Sequence, residues 1–326
     1  LTGSHNNADS GSSSSQTVSY STGYGVFQGL RDSFIGVNSK YGTALAGYLS
    51  TPLRSSLTSF AVEPGATGSM TIEKQMTAQK FGASGAQFAT ALRGTAIAYA
   101  MPTLYGFDAS IAYTGSNNNG TTNSLSAAKA GGCTSTEISG CSVVPQSAFG
   151  LNLGWTGYGV NIKGAFQQNN NQITPSATTN VGNYGDYTSY LVGAMYTGVQ
   201  NLKLSTVYMR NSLGTNGPTD LTNGAGKISN NQLYAGASYR MGNWEPRVSA
   251  TWSSDMDGSS VQQLGSRQFQ VRTGYYLSKR TQVYGLVSNL NNSANQNYTF
   301  GQQTSSLGAP AGSNLFTYGA GMRTSF

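Results

Sequence analysis

Apolar and polar residues alternate at the end of the chain. The residues that share one side of this alternation are mostly apolar: Phe316, Tyr318, Ala320, Met322, Thr324 and Phe326. The residues between them are mostly small or polar. A period of two is typical of a β-strand with one apolar and one polar face. The pattern therefore predicts a terminal strand whose last residue is aromatic.

The same alternation recurs along the chain, in thirteen segments from Arg31 onward. Four clear examples are 107–114, 149–156, 160–167 and 268–277. Short joints such as TGYG, RMGN and LSKRT alternate with long joints rich in Asn, Ser, Gly and Thr. These long joints are 115–146, 169–187, 211–229 and 254–266. Short turns on one side and long polar loops on the other are typical of an outer-membrane β-barrel.

A sheet in hydrocarbon must satisfy its own backbone, because lipid offers no hydrogen-bond partner to a peptide group. Closure into a barrel pairs every strand, with an apolar face toward lipid and a polar face toward water. A soluble β-sandwich also alternates and stays the alternative fold. The polar positions are almost all Gly, Ser, Thr, Asn, Gln and spaced basic residues, which argues for the barrel.

Composition narrows the function. Only 9% of the residues are charged, against about 25% in a typical soluble domain. The net charge is +7, but Lys279–Arg280 is the only adjacent basic pair, so the sequence predicts no nucleic-acid binding. His5 is the single histidine, which argues against a Ser–His–acid triad on a strand and against a histidine-rich zinc site. We therefore expect no enzymatic activity, no cofactor and no metal.

Two cysteines, Cys133 and Cys141, lie eight positions apart in the joint 115–146. Their spacing does not match the Cys-x-x-Cys pairs of zinc or thioredoxin-type redox sites. We expect a small disulfide-closed loop in an oxidising compartment, with two free thiols as the alternative.

Three stretches resemble segments of the Gram-negative general porins: GLRDSFIGVNSKYGTALAGYLSTPL, RGTAIAYAMPTLYGFDASIAY and QVRTGYYLSKRTQVYGLVSNLNN. The third is the most specific, and the resemblance covers roughly residues 24–326. It implies an all-β fold, a transmembrane antiparallel β-barrel that forms a single domain over 1–326. The family barrel has about 16 strands, of which about 13–14 are visible in this sequence.

The resemblance also implies a function and a location. Members of the family are homotrimers in the bacterial outer membrane, in contact with lipid and lipopolysaccharide. Each barrel is a water-filled channel for the passive diffusion of small hydrophilic solutes and ions. The family's terminal strand ends on an aromatic residue that the outer-membrane assembly machinery recognises, which implies that Phe326 is an insertion signal.

The beginning of the chain does not match the family, in which several strands precede the Arg-x-Ser-Phe-Ile-Gly segment. The stretch TVSYSTGYGVF would supply a fourteenth strand. Alternatively, residues 1–29 belong to the second outer loop, and the first strands lie upstream of Leu1. We favour this second interpretation over a natural 14-stranded barrel; either way, thirteen strands are not the whole barrel, because a single-chain barrel has an even strand count.

The segment 51–91 is too long for an ordinary connection. The resemblance implies that it is the third loop, which folds into the barrel and narrows the pore. Its charged residues are Arg54, Glu63, Glu73, Lys74 and Lys80. Within it, TIEKQMTAQKF predicts a short helical turn. An outward surface loop is the alternative for the whole segment.

A ladder of strand arginines faces the third loop in the family. Arg31 matches one member of this ladder, and Arg93 falls near another. Arg93 is one residue closer to Tyr99 than the family pattern requires. Strict alternation would send it to the lipid side, unless a bulge intervenes or the strand begins after it. Tyr48 stands where a further arginine is expected.

Alternation assigns further charged residues to the polar, pore-lining face. Six are basic and two are acidic: Lys163, Lys203, Arg240, Arg247, Arg272, Arg323, Asp108 and Glu245. Low-dielectric walls concentrate the field of such charges, and basic rings favour anions. We therefore predict a mild anion preference and the passage of small anionic or neutral solutes. Charges at the rims, where salt screens them, are the alternative.

Two other functions stay open. One is a surface structural or adhesion protein whose barrel is an anchor, with 51–91 outside or with a plugged lumen. The other is a substrate-specific channel, which for a sugar needs a row of aromatic side chains along the lumen. Its candidate aromatic residues are Tyr234, Tyr276 and Tyr284. The position of 51–91 discriminates the anchor from the channel.

Overall fold

The computed structural model of the protein describes residues 33–62, 71–72, 76, 80–81, 86–87, 93–114, 147–174, 183–214, 226–259, 261–300 and 310–324. Within these ranges the chain is mostly β-strand, as the alternation predicts. In the same ranges, no helix is both long and apolar enough to span a bilayer.

Thirteen strands form one antiparallel sheet in which neighbours in the sheet follow one another along the chain. They are β1 (Ser33–Ser39), β2 (Gly42–Ser50), β5 (Arg93–Ala100), β6 (Phe107–Thr114), β7 (Ser147–Gly157), β8 (Val160–Thr174), β9 (Asn183–Tyr196), β10 (Leu202–Gly214), β11 (Lys227–Tyr239), β12 (Trp244–Ser253), β13 (Ser266–Tyr276), β14 (Thr281–Asn292) and β15 (Asn314–Thr324). Two short strands, β3 (Lys80–Phe81) and β4 (Ala86–Gln87), pair only with each other. The thirteen alternating segments are thus confirmed as strands.

A helix, α1 (Pro52–Ser59), follows β2, and the alternation does not predict it. Thr51 caps the helix, since its hydroxyl accepts a hydrogen bond from the Arg54 amide at 3.3 Å. The buried side of α1, with Leu53 and Leu57, contacts β6, β7, β8 and β9. We call the sheet face that α1 contacts the inner face, and the opposite face the outer face.

The two faces reverse the arrangement of a soluble protein. Large apolar side chains of the outer face are exposed, among them Leu153 (57%), Phe269 (53%) and Tyr318 (80%). Amide side chains of the inner face are buried, among them Gln232 and Gln268. Exposed apolar side chains in regular alternation are stable where the surroundings are hydrocarbon. The sheet therefore has the face distribution of a membrane-spanning barrel wall.

Short turns join the strands at one end of the sheet: 40–41, 101–106, 158–159, 197–201, 240–243 and 277–280. In the turn between β7 and β8, Tyr158 and Gly159 have φ angles of 50° and 75°. Two successive positive φ angles are typical of a type I′ turn, whose twist matches that of the paired strands. We call this end of the sheet the short-turn end, and the other end the loop end.

Two strand pairs extend further toward the loop end than the sequence predicts. β8 has 15 residues and β9 has 14, whereas about 9–11 residues cross the hydrocarbon. The predicted loop boundaries 169–187 and 211–229 are therefore wrong. Pairing of β8 with β9 resumes at Gln172 after a register shift that begins at Asn169, and it continues to Thr174 opposite Asn183. Backbone pairing does not require apolar side chains, so strands rich in Asn and Gln continue beyond the lipid.

Tyr318 and Thr317 give a matched test of the two faces. Tyr318→Arg places a charge on the outer face near the middle of β15. We expect it to lower the free energy of unfolding by about 2–4 kcal/mol, the cost of Arg at the bilayer midplane. Thr317→Arg places the same charge on the inner face, and we expect a change within about 0.5 kcal/mol. Denaturant titration of the protein folded into vesicles measures both values; equal losses would contradict the face assignment.

Candidate functional site

Residues 51–62 lie across the inner face of the sheet. At β7, Asn152 Nδ2 donates a hydrogen bond to Ser56 Oγ of α1 at 3.1 Å. At β10, Ser205 Oγ donates to the carbonyl oxygen of Phe60 at 2.6 Å. Because β8 and β9 lie between these two strands, the segment follows the wall instead of leaving it.

Apolar packing holds the segment against the wall. Its buried apolar side chains are Leu53, Leu57, Phe60 and Val62, and Ile72 and Met76 further along the chain belong to the same cluster. They pack with buried inner-face residues of β8 to β11: Ala165, Leu191, Val207, Met209 and Tyr234. Fully burying one such large side chain contributes roughly 1.5–3 kcal/mol. The sequence predicts a helical turn in 71–81; Ile72 and Met76 are helical, but Lys80–Phe81 form strand β3 instead.

Two glycines of the wall allow this close approach. A Cβ built at Gly193 of β9 would lie less than 3.0 Å from three atoms of the Phe60 ring. A Cβ built at Gly236 of β11 would lie 2.7 Å from a methyl carbon of Val62. Any larger residue at either position would displace the segment, so the absence of a side chain is what positions it.

Asp108 and Glu245, the two acidic residues described on the inner face of the strands, are both in ion pairs. Lys163 Nζ lies 3.0 Å from Asp108 Oδ2, across the intervening strand β7. Arg247 forms a short ion pair with Glu245 on the same strand, two residues away. These pairs leave Lys203, Arg240, Arg272 and Arg323 as inner-face cations with no acidic partner among the described side chains.

Glu245 links β12, β13 and β14 near the short-turn end through hydrogen bonds. Its Oε2 accepts hydrogen bonds from Arg247, from Tyr276 Oη at 2.6 Å and from Gln282 Nε2 at 3.3 Å. The guanidinium carbon of Arg240 lies 4.1 Å from the centroid of the Tyr276 ring. A cation over an aromatic face is attracted by the ring quadrupole, which holds Arg240 beside this network.

Arg272 is held in a similar way over a second ring. Its guanidinium carbon lies 3.6 Å from the centroid of Tyr284. Tyr284 is opposite Gly274 on β13 and opposite Gly321 on β15. A Cβ at Gly321 would lie 2.6 Å from Tyr284 Oη, so the ring lies across this glycine. Arg247 is directly opposite Arg272, which sets two like charges side by side.

The remaining predicted site residues are partly described. Lys203 and Arg323 are exposed on the inner face near the short-turn end. Arg54 is half-buried on α1, and its Nη1 donates to Ser50 Oγ at 2.8 Å. The described side chains do not include Arg31, Glu63, Glu73, Lys74, Lys80, Arg93, Cys133, Cys141 and Phe326. Their predicted roles stay predictions.

The strand register at Arg93 indicates whether alternation would place this residue on the inner face, as the resemblance implies. Arg93 is the first residue of β5 and is opposite Ser50. Pairing of β2 with β5 continues to Ala100 without a register shift. Neither a bulge nor a later strand start therefore separates Arg93 from the alternation of Tyr99, so the register gives no support to a pore-lining Arg93.

The candidate row of lumen aromatics is covered in this structure. Tyr234 is fully buried under the segment 51–62, and its Oη accepts a hydrogen bond from the Val62 amide at 3.5 Å. Tyr276 and Tyr284 lie under arginine side chains. Sequence reasoning did not predict the packing role of Tyr234, because that role depends on α1. The Thr-Pro pair at the start of α1 was the sequence signal that could have predicted this helix. In the described ranges, no three His, Cys, Asp or Glu side chains are grouped as metal ligands.

A family profile described as Gram-negative porin matches residues 3–295. The chain belongs to the Gram-negative porin family. A search of the curated proteins gives no match for this porin.

Solved structures show the same fold. The anion-selective porin of Comamonas acidovorans is 20% identical with a TM-score of 0.65, over 91% of this porin and 78% of that chain. Vibrio cholerae OmpT in its trimer form is 13% identical with a TM-score of 0.60, over 90% and 80%. Salmonella typhi OmpF is 14% identical with a TM-score of 0.53, over 90% and 77%. The fold is therefore a transmembrane antiparallel β-barrel of the porin type.

The porin forms a channel through the bacterial outer membrane. Its inner face has two parts of different chemistry. β8 to β11 present the apolar surface that contacts residues 51–62, Ile72 and Met76. β12 to β15 present the basic residues Arg247, Arg272 and Arg323.

Gly193 and Gly285 give a matched test of the segment's position. Gly193→Val would force the Phe60 ring away from β9, and we expect the free energy of unfolding to fall by about 1–3 kcal/mol. Gly285→Val is the control on β14, because no atom lies within 4 Å of its built Cβ. Chemical unfolding of both variants in detergent measures the difference. An unchanged midpoint for Gly193→Val would mean that Phe60 does not contact β9.

Proposed function

We propose that this porin is a passive channel for small hydrophilic solutes and ions, with a mild preference for anions. The observation that supports this proposal is the net charge of the side chains on the inner face. Six basic and two acidic residues leave a net charge of +4, and both acidic residues are already in ion pairs. A basic wall of low dielectric concentrates anions. The structurally similar porin of Comamonas acidovorans is itself anion-selective.

We further propose that 51–91 is the constriction segment of a single-domain barrel over 1–326. The contacts of 51–62, Ile72 and Met76 with the inner face support it. The same contacts disfavour an adhesion barrel that presents this segment outside. The covered positions of the candidate aromatics disfavour a sugar-specific channel.

For the assembly, we propose a homotrimer without enzymatic activity. The trimer form of the structurally similar Vibrio cholerae OmpT supports the trimer. The exposed apolar outer face suits contact with lipid, with lipopolysaccharide and with neighbouring subunits. In this proposal, Cys133 and Cys141 close a disulfide loop, and the outer-membrane assembly machinery recognises Phe326.

Reversal potentials in a KCl gradient across a planar bilayer test the anion preference. We expect chloride to be more permeant than potassium in the unmodified porin. Lys203→Gln and Arg323→Gln should each roughly halve the chloride-to-potassium permeability ratio, because each removes one uncompensated inner-face charge. Arg210→Gln is the matched control, since Arg210 is exposed on the outer face of β10. A potassium-preferring channel would contradict the proposal.

A further inference from the structure

A group of buried polar side chains lies on the inner face of β12 and β13. Arg247 is directly opposite Arg272, and Ser249 is directly opposite Gln270. We call these four residues the Arg272 cluster. The two arginines lie toward the short-turn end of their strands, on the same face as Glu245.

Six polar atoms of the Arg272 cluster are buried without a hydrogen-bond partner within the described chain. Three are the guanidinium nitrogens of Arg272, and the others are Arg247 Nε, Ser249 Oγ and Gln270 Oε1. The Arg272 side chain is fully buried, at 1% exposure. Buried polar groups are almost always hydrogen-bonded, and a buried charge without a partner is strongly unfavourable. The cluster therefore requires a component that its four side chains do not supply.

This component must accept hydrogen bonds and carry negative charge. Four of the six atoms are N–H nitrogens and a fifth is a hydroxyl, so donors outnumber acceptors. Glu245 is the neighbouring carboxylate, but its described hydrogen bonds go to Arg247, Tyr276 and Gln282. A water molecule would accept a hydrogen bond and leave the positive charge uncompensated. An anion satisfies both requirements.

The position of Arg272 suits an oxyanion in particular. One flat side of its guanidinium is covered by the Tyr284 ring at 3.6 Å, which leaves the N–H groups at the rim available. Two parallel N–H groups match two oxygen atoms of a carboxylate or a phosphate. A chloride ion is a single atom and cannot offer two separate acceptors to this fork.

The charges around the cluster favour approach from the short-turn end. Arg323 is exposed and is opposite Gln282, and Lys203 is exposed near the same end of β10. Both would attract an anion from the water-filled lumen. Because Arg272 is closed off from solvent, an anion reaches its N–H groups only after neighbouring side chains move.

We propose that the Arg272 cluster binds a small oxyanion, a carboxylate or a phosphate, on the inner wall of the pore. This inference rests on the proposed function, since the anion must enter the lumen. It adds a saturable site with a preference for one chemical class, which a general excess of positive charge does not provide.

Conductance measured over a series of salt concentrations tests the site in the intact porin. We expect the conductance in potassium acetate or potassium phosphate to saturate, and the conductance in potassium chloride to follow the bulk conductivity. Arg272→Lys keeps the charge and loses the planar fork. We expect it to raise the half-saturating oxyanion concentration at least about tenfold, as loss of one charge-assisted hydrogen bond predicts. Arg210→Lys on the outer face is the matched control and should behave like the unmodified porin.

The outcomes separate the site from the general anion preference. Saturation in acetate alone assigns the site to carboxylates, and saturation in phosphate alone assigns it to phosphates. Absence of saturation in both salts overturns the site, even when chloride remains more permeant than potassium. Saturation that persists in Arg272→Lys also overturns it, since the fork would then be unnecessary. A potassium-preferring porin with a saturable acetate site would instead contradict only the proposed function.

Discussion

The need to pair every backbone amide and carbonyl inside hydrocarbon determines the rest of this structure. A lipid-embedded strand finds partners only in neighbouring strands, so thirteen strands of the described chain form one continuous antiparallel sheet in sequence order. Once the backbone is satisfied in this way, the side chains of one face are free to be apolar and exposed. This constraint explains why Leu153 and Tyr318 are exposed on the outer face. It also explains why polar side chains such as Gln232 are buried on the inner face.

The inner face is not uniformly polar. On β8 to β11 it supplies apolar side chains and glycines, and these hold the segment that follows β2 against the wall. On β12 to β15 it supplies arginines: Arg272 lies over the Tyr284 ring, and Arg247 is paired with the carboxylate of Glu245. Gly193 and Gly321 contribute in the same manner in the two parts, because each leaves room for an aromatic ring to lie against the sheet. One part of the inner face therefore holds the segment that follows β2, and the other part carries basic side chains.

The alternation along the chain was sufficient to predict the strands, their faces and the short turns, because a period of two follows directly from strand geometry. It was insufficient for the ends of β8 and β9, where polar composition resembles a loop although pairing continues. It also could not pair Lys163 with Asp108, since that contact depends on the register of three strands. Tyr234 illustrates the same limit, because its burial depends on residues 51–62, which are far away in the sequence.

The central claim is that one face of the sheet contacts lipid and the other contacts water and the segment 51–62. The most direct measurement is the accessibility of spin labels placed one at a time along 149–155 of β7, in a background without Cys133 and Cys141. We expect alternation: labels at Leu151 and Leu153 are relaxed by oxygen dissolved in the bilayer, and labels at Asn152 and Gly154 are shielded from it. Strong relaxation by oxygen at Asn152 and Gly154, or no alternation along β7, would contradict this assignment of the two faces.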